Sequence, residues 1–424
     1  MPSLLHHLVL PILRSKYESI GGRLGVPRPD DAPQSHAPGV DPDRILVFGN
    51  GAAVGWGVRS HDLALPGQIA RRLSALTGRG VDVDAVADPL MTIRTAAAAV
   101  PTERLSDYDA IVVIVGVSDA LRLTSAAAWR RGVLELLDVI DAHAHPGTEI
   151  VIVGIHRPSA ISVFSVREAG VVDRHAARLD DITRMICDAR KRTHFVEPPI
   201  LPAESTAASA VPEAAVSASE AVARSRARKG FALWADAHAL LLAPLLDQHV
   251  GRGTAARDRR HRPQSLEMRM DAIRALGLLD SPPEKRFDDI TERARVLLGT
   301  AGAAFSIVDE DRLYNKSYSG VGRTEVPLRG AMCSVTIQSG RPFVVPDVWK
   351  DDRFVTHPSV RFYAGHPVES PDGVRIGALC VTDPEPRSAD SVDLVLLREL
   401  ALSVQRELAM GPVEPLESTD EVAA

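Results

Sequence analysis

Cysteine is scarce in this 424-residue sequence: Cys187, Cys333 and Cys380 stand far apart with no C-x-x-C spacing. That excludes a disulfide framework, gives no zinc-site pattern, and fits a reducing compartment. An excess of one charge is lacking too. The 49 basic and 55 acidic residues leave a formal net charge of -6, which supplies no global attraction to nucleic acid or to an anionic membrane. Long hydrophobic runs are also missing. The apolar patch from Leu4 to Leu13 is broken by His6, His7 and Pro11 and is too short to span a bilayer. No basic stretch precedes it and no A-x-A site follows it, so the expectation is a cytoplasmic chain with neither a signal peptide nor a transmembrane segment.

What is present is ordinary globular material, 45% hydrophobic and 25% charged, enough for two or three domains with conventional cores. After an N-terminal extension over 1–42, residues 43–250 alternate strand-length apolar runs ("RILVF", "VDVDAV", "AIVVIVG", "EIVIVGI") with segments of helical spacing. This is a βαβ series. The unbroken Val/Ile runs at Ile111–Val115 and Ile150–Val153 suit strands buried on both faces of a parallel sheet. Strand ends at Gly49, Gly116 and Gly154 are expected to ring one site, because ligands of such sheets sit beyond the carboxyl ends of the strands. From Pro198 to about residue 228 the chain is rich in Ala, Ser, Pro and Glu without an apolar period, which predicts a long loop or weak helical insert. "FALWADAHALLLAPLLDQHV" then reads as a closing helix, and 251–265, with five arginines, as a basic interdomain linker.

A second unit, 266–410, opens with two helical segments, "LEMRMDAIRALGLLD" and "FDDITERARVLLG". "AAFSIVDEDRLYNKSYS" reads as two strands around an Asp-Glu-Asp turn, "FVVPD" as a strand, and "RFYAGHPVESPDGVRIGALCVTD" as a hairpin turning at Pro371–Asp372–Gly373. A last helix over Ser391–Leu408 carries Leu397, Leu400, Ala401, Val404 and Leu408 at three- and four-residue steps. The segment 411–424 is acidic and expected to be a mobile tail.

"FGNGAAVGWGV", "DYDAIVVIVGVSDALRLTS" and "GFALWADAHA" resemble the first, third and fifth sequence blocks of the SGNH (GDSL-type) hydrolase family. The resemblance implies an α/β flavodoxin-like three-layer sandwich with a parallel sheet, but not the family's chemistry. In that family the first block is Gly-Asp-Ser, its serine the nucleophile; the third is Gly-x-Asn-Asp, its asparagine an oxyanion donor; the fifth is Asp-x-x-His. Here Gly49 matches the first glycine, but Asn50 replaces the aspartate and Gly51 the nucleophile. No glycine lies between Gly80 and Gly116 to supply the second block's backbone donor, and Ser118 replaces the third block's asparagine beside a matching Gly116 and Asp119. Counting back from Gly230-Phe231, the expected histidine falls at Ser225 and the expected aspartate at Val222. A serine needs an adjacent base, and losing one oxyanion donor alone costs on the order of 3–4 kcal/mol. A conventional esterase does not survive these changes. A rebuilt set of Ser118, His156 and Asp119 is the alternative, against readings in which Ser118 caps the following helix and His156 packs in a loop.

The second unit resembles the GAF domain family through "RALGLLDSPPEKRFDDITERA", "FVVPDVWKDDRF", "RFYAGHPVESPDGVRIGALCVTD" and Pro386-Arg387. The resemblance implies an α+β domain with a central antiparallel sheet that senses a small molecule or dimerises. Tyr314, Lys316, Tyr318, Cys333, Asp347, Arg361 and Tyr363 are expected near a concave ligand face, with a fold-holding Asp347–Arg361 pair as the competing reading. Cys333 is followed by Ser334 rather than histidine, which argues against a bilin, and the Asn-Lys-x-Phe-Asp signature of cyclic-nucleotide-binding relatives is absent. Cys333 as a redox thiol lacks a resolving partner legible in the spacing, and Cys187 and Cys380 read as buried small hydrophobes.

These readings converge on a non-catalytic sensor or regulatory protein, without metal or cofactor, that joins a degenerate SGNH-like domain to a GAF domain. Its expected partners are a small-molecule ligand at the GAF domain, a second copy of the chain and a protein that receives the signal. An ester hydrolase with relocated catalytic residues, regulated by its GAF domain, is the competing class, and a scaffold with both pockets closed is the third.

Overall fold

Valine, isoleucine and leucine runs without a polar interruption build the centre of the first sheet. The structure, a computed structural model, describes residues 26–157, 166–199, 216–253, 256, 260, 263–320, 322–354, 357 and 359–411, with the side chains of 166–169 and 216–227 outside the described set. The expected N-terminal patch at Leu4–Leu13, most of the Ala-rich insert and the tail beyond Gly411 therefore lie outside the described residues. The chain divides into two units, Met1–Arg260 and His261–Ala424.

In the first unit, six strands lie in the order β1-β3-β2-β4-β5-β6. They are β1 (Gln34–Ala37), β2 (Asp43–Gly49), β3 (Val81–Ala87), β4 (Ala110–Ile114), β5 (Glu149–Val153) and β6 (Thr193–Val196). All neighbours from β3 through β6 are parallel. The parallel part has the doubly wound order 2-1-3-4-5, whose crossing point lies between β2 and β4. The expectation of a purely parallel sheet beginning at residue 43 needs correction: β1, from the supposed extension, pairs antiparallel with β3, Gln34 opposite Asp84. At four residues, "QSHA" is too short to show a period.

Helices cover both faces, so the unit is a three-layer sandwich. The helices are α1 (Leu65–Thr77), α2 (Ile93–Ala99), α3 (Val117–Leu121), α4 (Ala126–His143), α5 (Val166–Asp188) and α6 (Val216–Arg252). On one side Leu46, Phe48, Ile111, Val113, Ile150 and Ile152 pack with Trp129, Val133 and Leu136 of α4 and Val172 and Leu179 of α5. On the other, Ile45, Val47, Val112 and Val151 meet Ile69 and Leu73 of α1 and Trp234, Ala235 and Leu242 of α6. Helix α6 begins well before the expected "FALWADAHA" segment, because Ala, Arg, Ser and Glu sustain a helix without an apolar stripe to announce it. Arg260, assigned by sequence to a solvated linker, is instead anchored in this unit through Asp107, Asp109 and Pro42.

The second unit is an antiparallel sheet in the order β10-β11-β12-β7-β8-β9. Its strands are β7 (Gly302–Val308), β8 (Arg312–Gly320), β9 (Glu325–Pro327), β10 (Phe343–Val345), β11 (Phe362–Glu369) and β12 (Arg375–Asp383). The β11–β12 hairpin turns where expected, closed by the Gly373 amide on Ser370 O at 2.8 Å. Helices α7 (Leu266–Leu276), α8 (Lys285–Leu297) and α10 (Leu394–Met410) cover one face, burying Phe287, Ile290, Leu397, Leu400 and Val404 against Phe305, Phe362 and Leu379. Helix α10 starts three residues later than the period suggests, because Asp393 caps it by accepting from the Val395 and Leu396 amides. The other face carries helix α9 (Met332–Ser339) over Val308, Leu313, Tyr363, Ala378 and Cys380.

Candidate functional sites

The crossing point of the first sheet brings the turn after β2 against the start of α3. Gly49 is needed there: a Cβ on it would fall 2.0 Å from the Ile114 carbonyl oxygen, at a φ of +135° that L side chains avoid. The chain then turns through Asn50, which is fully buried. Its amide donates to Ile114 O at 2.7 Å, and its Nδ2 to Met91 O at 2.7 Å and to Ser118 Oγ at 3.5 Å. The Asn50 Oδ1 is buried without a partner among the described residues.

Ser118 is 4% exposed, and its hydroxyl faces Asn50 and the Pro89 carbonyl, 3.5 Å away. Asp119, beside it, accepts from the Ile93 amide and from Thr124 Oγ1, both at 2.9 Å, tying α2 and the α3–α4 turn to the crossing point. Burial raises the Asp119 pKa against the pull of those two donors. His156 does not join them. Its ring lies 5.8 Å from that of Trp234 on α6, and burial lowers its pKa. The structure thus brings Ser118 and Asp119 to one turn as structural pins and directs His156 to a packing contact.

Ser225 falls on α6 where side chains are not described. Farther along that helix, His238 is completely buried, stacked on Trp234, and donates from Nδ1 to the Trp234 carbonyl. Burial holds its pKa at about 4, so it is a neutral core imidazole. Sequence reasoning did not find the His61–Asp31 contact, Nδ1 to Oδ1 at 2.7 Å, because the partners are 30 positions apart. The adjacent Ser60 hydroxyl accepts from the Asp62 amide at 3.1 Å.

In the second unit the expected ligand set divides between two faces of the sheet, because alternate residues of a strand point oppositely. Cys333 and Tyr363 lie together on the α9 face. Tyr314 and Lys316 correct the expectation: they share a strand face, and that face belongs to the α7–α8 side. Tyr314 packs with the α8 and α10 core and its hydroxyl donates to Ser281 O at 3.1 Å. The fully buried Lys316 ammonium donates to Ser281 Oγ and Pro282 O, both at 2.6 Å, and pairs with Glu284 at 2.9 Å. Tyr318, farther along β8, is 43% exposed.

Asp347 and Arg361 form the fold-holding pair, 2.7 Å apart. Asp347 caps the following turn through the Trp349 amide, and the Arg361 guanidinium lies 4.5 Å from the Trp349 ring centre. Hydrogen bonds from Arg361 hold the Asp347 carboxyl below its ordinary range.

The α9 face carries what the sequence did not reveal. Cys333 Sγ is 3.9 Å from Cys380 Sγ, and the Tyr363 hydroxyl donates to Cys333 Sγ at 3.4 Å while contacting Thr336 Oγ1 at 2.8 Å. Ser306, bonded to Asn315 at 2.6 Å, reaches Cys380 Sγ at 3.8 Å. Phe343 and Phe354 close the cluster, with ring centres 6.0 Å apart. This is a buried cluster of polar and aromatic groups packed under a short helix. Among the described residues, no group of three or more His, Cys, Asp or Glu side chains is placed to hold a metal, and no helix is long and apolar enough to cross a membrane.

Comparison with known proteins bears on this second unit. Residues 282–408 match the GAF domain family model. Over 165 residues the chain is 31% identical to a cyclic di-GMP phosphodiesterase of Pseudomonas aeruginosa, a match covering 37% of this chain and 27% of that protein. The chain therefore spans about a quarter of the curated relative it matches. Among solved structures, a free methionine-R-sulfoxide reductase from Neisseria meningitidis aligns at 18% identity and a TM-score of 0.26, covering 35% of this chain and 93% of that one. The GAF domain of an Acinetobacter phosphoenolpyruvate-protein phosphotransferase aligns at 16% identity and a TM-score of 0.25, covering 33% of this chain and 92% of that one. The C-terminal unit of the chain carries a GAF domain over residues 282–408.

Proposed function

We propose that this chain is a sensor or regulatory protein, in which the GAF domain takes a small molecule or a second copy of the chain and the first unit is a non-catalytic, SGNH-like α/β fold. The observation that carries the reading is the GAF match over 282–408, the family model that covers the antiparallel sheet and its helices α8, α9 and α10. The first unit supports it from the other side. Where the SGNH family would place a nucleophile the turn has Gly51, and the Ser118 hydroxyl is sealed against Asn50 and Pro89 rather than presented to a base.

Signal output in this reading passes by protein contact. Three free cysteines fit a reducing, cytoplasmic setting. The curated relative is named a cyclic di-GMP phosphodiesterase, which makes cyclic di-GMP the first ligand to try. Titration of the full chain with cyclic di-GMP, cyclic GMP and cyclic AMP, read by thermal unfolding and sedimentation, tests the proposal. Saturable stabilisation, about 2.7 kcal/mol at a hundredfold excess over Kd, or a concentration-dependent dimer is the expected result. An unshifted melt with every nucleotide together with a monomer at all concentrations would sink it.

A further inference from the structure

Cys333 and Cys380 stand 47 positions apart in sequence and 3.9 Å apart at sulfur. Each is held on a regular element: Cys333 in the first turn of α9, and Cys380 in the middle of β12, laddered on both sides to β11 and β7. The surroundings are not those of two inert core residues. Tyr363, Thr336, Ser306 and Asn315 form a chain of hydroxyl and amide groups that ends on the two sulfurs, where an ordinary core would place methyl groups. Tyr363 O–H and the α9 N-terminus both favour a negative charge on Cys333 Sγ. The contact with Cys380, helped by Tyr363 and Ser306, outweighs burial and lowers the Cys333 thiol, while Cys333 and burial push Cys380 up. Of the two sulfurs, Cys333 is the one whose contacts favour the thiolate, and Cys380 is the neighbouring thiol, the division of roles that dithiol chemistry requires.

Cys187 is the internal contrast. It is buried alone near the end of α5, and burial pushes its thiol up to about 11.

We propose that Cys333 and Cys380 form a dithiol site that reduces small hydroperoxides, with Cys333 the attacking sulfur and Cys380 the resolving one. The Cys333 thiolate attacks the terminal peroxide oxygen and the O–O bond breaks. The leaving alkoxide or hydroxide takes a proton from water, and Cys333 becomes a sulfenic acid. The Cys380 sulfur then attacks Cys333 Sγ, the S–O bond breaks, and hydroxide leaves with the Cys380 proton as water. In sum, two thiols and one hydroperoxide give one disulfide, one alcohol (or water) and one water. A dithiol reductant returns the pair by exchange, itself becoming a disulfide. With 4% of Cys333 and 5% of Cys380 exposed, both reagents must be small: an oxidant of the size of hydrogen peroxide and a small-molecule dithiol as the reductant. The bond would tie α9 to β12, and its formation needs no other ligand.

The test is peptide mapping of the full chain after hydrogen peroxide treatment and alkylation of the remaining thiols. Trypsin, which does not cut the Arg341–Pro342 bond, releases Cys333 in GAMCSVTIQSGRPFVVPDVWK and Cys380 in IGALCVTDPEPR, so an internal disulfide links these two peptides and is reversed by a dithiol. The expected result is that link, formed at least about tenfold faster than Cys187 is consumed. In Cys380→Ser, with its melting curve checked, a dimedone adduct is expected on Cys333 and no link. Three cysteines that alkylate as before, a bond to Cys187 or between chains, or Cys333 passing to sulfinic acid without the link would each overturn the proposal, and mapping of the unsubstituted chain decides it even where the variant does not fold.

Discussion

The Arg260 guanidinium lies 3.0 Å from Asp109 Oδ2, with 8% of one side chain and 2% of the other exposed. Asp109 also accepts from the Arg44 amide at 2.9 Å, at the start of β2, and Arg260 donates to the Asp107 and Pro42 carbonyls. One arginine therefore ties together the chain entering β2 and the chain entering β4, the two central strands of the first sheet. Removing one partner of such a pair strands the other in a dry site. Arg260→Ala is expected to destabilise the first unit by about 3–5 kcal/mol, and the double variant with Asp109→Asn by less than the sum of the singles. Denaturant unfolding of the four proteins checks this; an Arg260→Ala midpoint equal to that of the unsubstituted chain would show the contact to be idle.

Gly49 and Gly51 lie two positions apart but differ in what a side chain would meet. A Cβ at Gly49 collides with the Ile114 carbonyl at 2.0 Å, whereas one at Gly51 finds only Val117 Cγ2 at 3.8 Å. Gly51→Ser, which writes back the nucleophile of the resembling family, is expected to fold with a loss of about 1–2 kcal/mol from its φ of +59° and to gain no esterase activity. Gly49→Ala is expected to lose more than that, since backbone must shift. Equal melting temperatures for the two variants would contradict the geometry.

Asp180 is a carboxylate whose pKa burial raises to about 7, even though its Oδ1 accepts from the Ile155 amide at 2.9 Å. The folded state therefore holds this proton more tightly than the unfolded chain. Below about pH 4 both states are protonated and no penalty exists; between about pH 4 and 7 the unfolded chain ionises first and stability falls; above 7 the full penalty stands. Its upper bound is about 4 kcal/mol at about 1.36 kcal/mol per pH unit. Asp180→Asn is expected to raise the melting temperature at pH 8 and leave it nearly unchanged at pH 4. A shift of equal size at both pH values would mean that the effect is not one of ionisation.

Much of this fold could be read from residue order, and the reasons are local. The β4 and β5 runs are unbroken Val/Ile stretches, and Pro371–Asp372–Gly373 is a turn written in three residues. Strand β1 was illegible because four mixed residues carry no period, and the start of α6 because alanine and arginine fill a helix without marking a face. The site was harder for a different reason. The GAF resemblance groups Tyr314 and Lys316 with Tyr363 near one concave face, while strand alternation and the Glu284 partner assign them to the opposite face. The neighbours that matter, Cys333 with Cys380 and Asn50 with Ser118, are long-range contacts that only the two sheets create.

In the proposed reading the first unit resembles a hydrolase fold at the turn after β2 and lacks its chemistry. Hydrolysis of p-nitrophenyl acetate by the purified full chain, beside Ser118→Ala and His156→Ala, tests it most directly. No turnover above the uncatalysed rate in any of the three is the predicted result. Turnover by the unsubstituted chain that both substitutions abolish would contradict the account and establish a rebuilt Ser118–His156 pair.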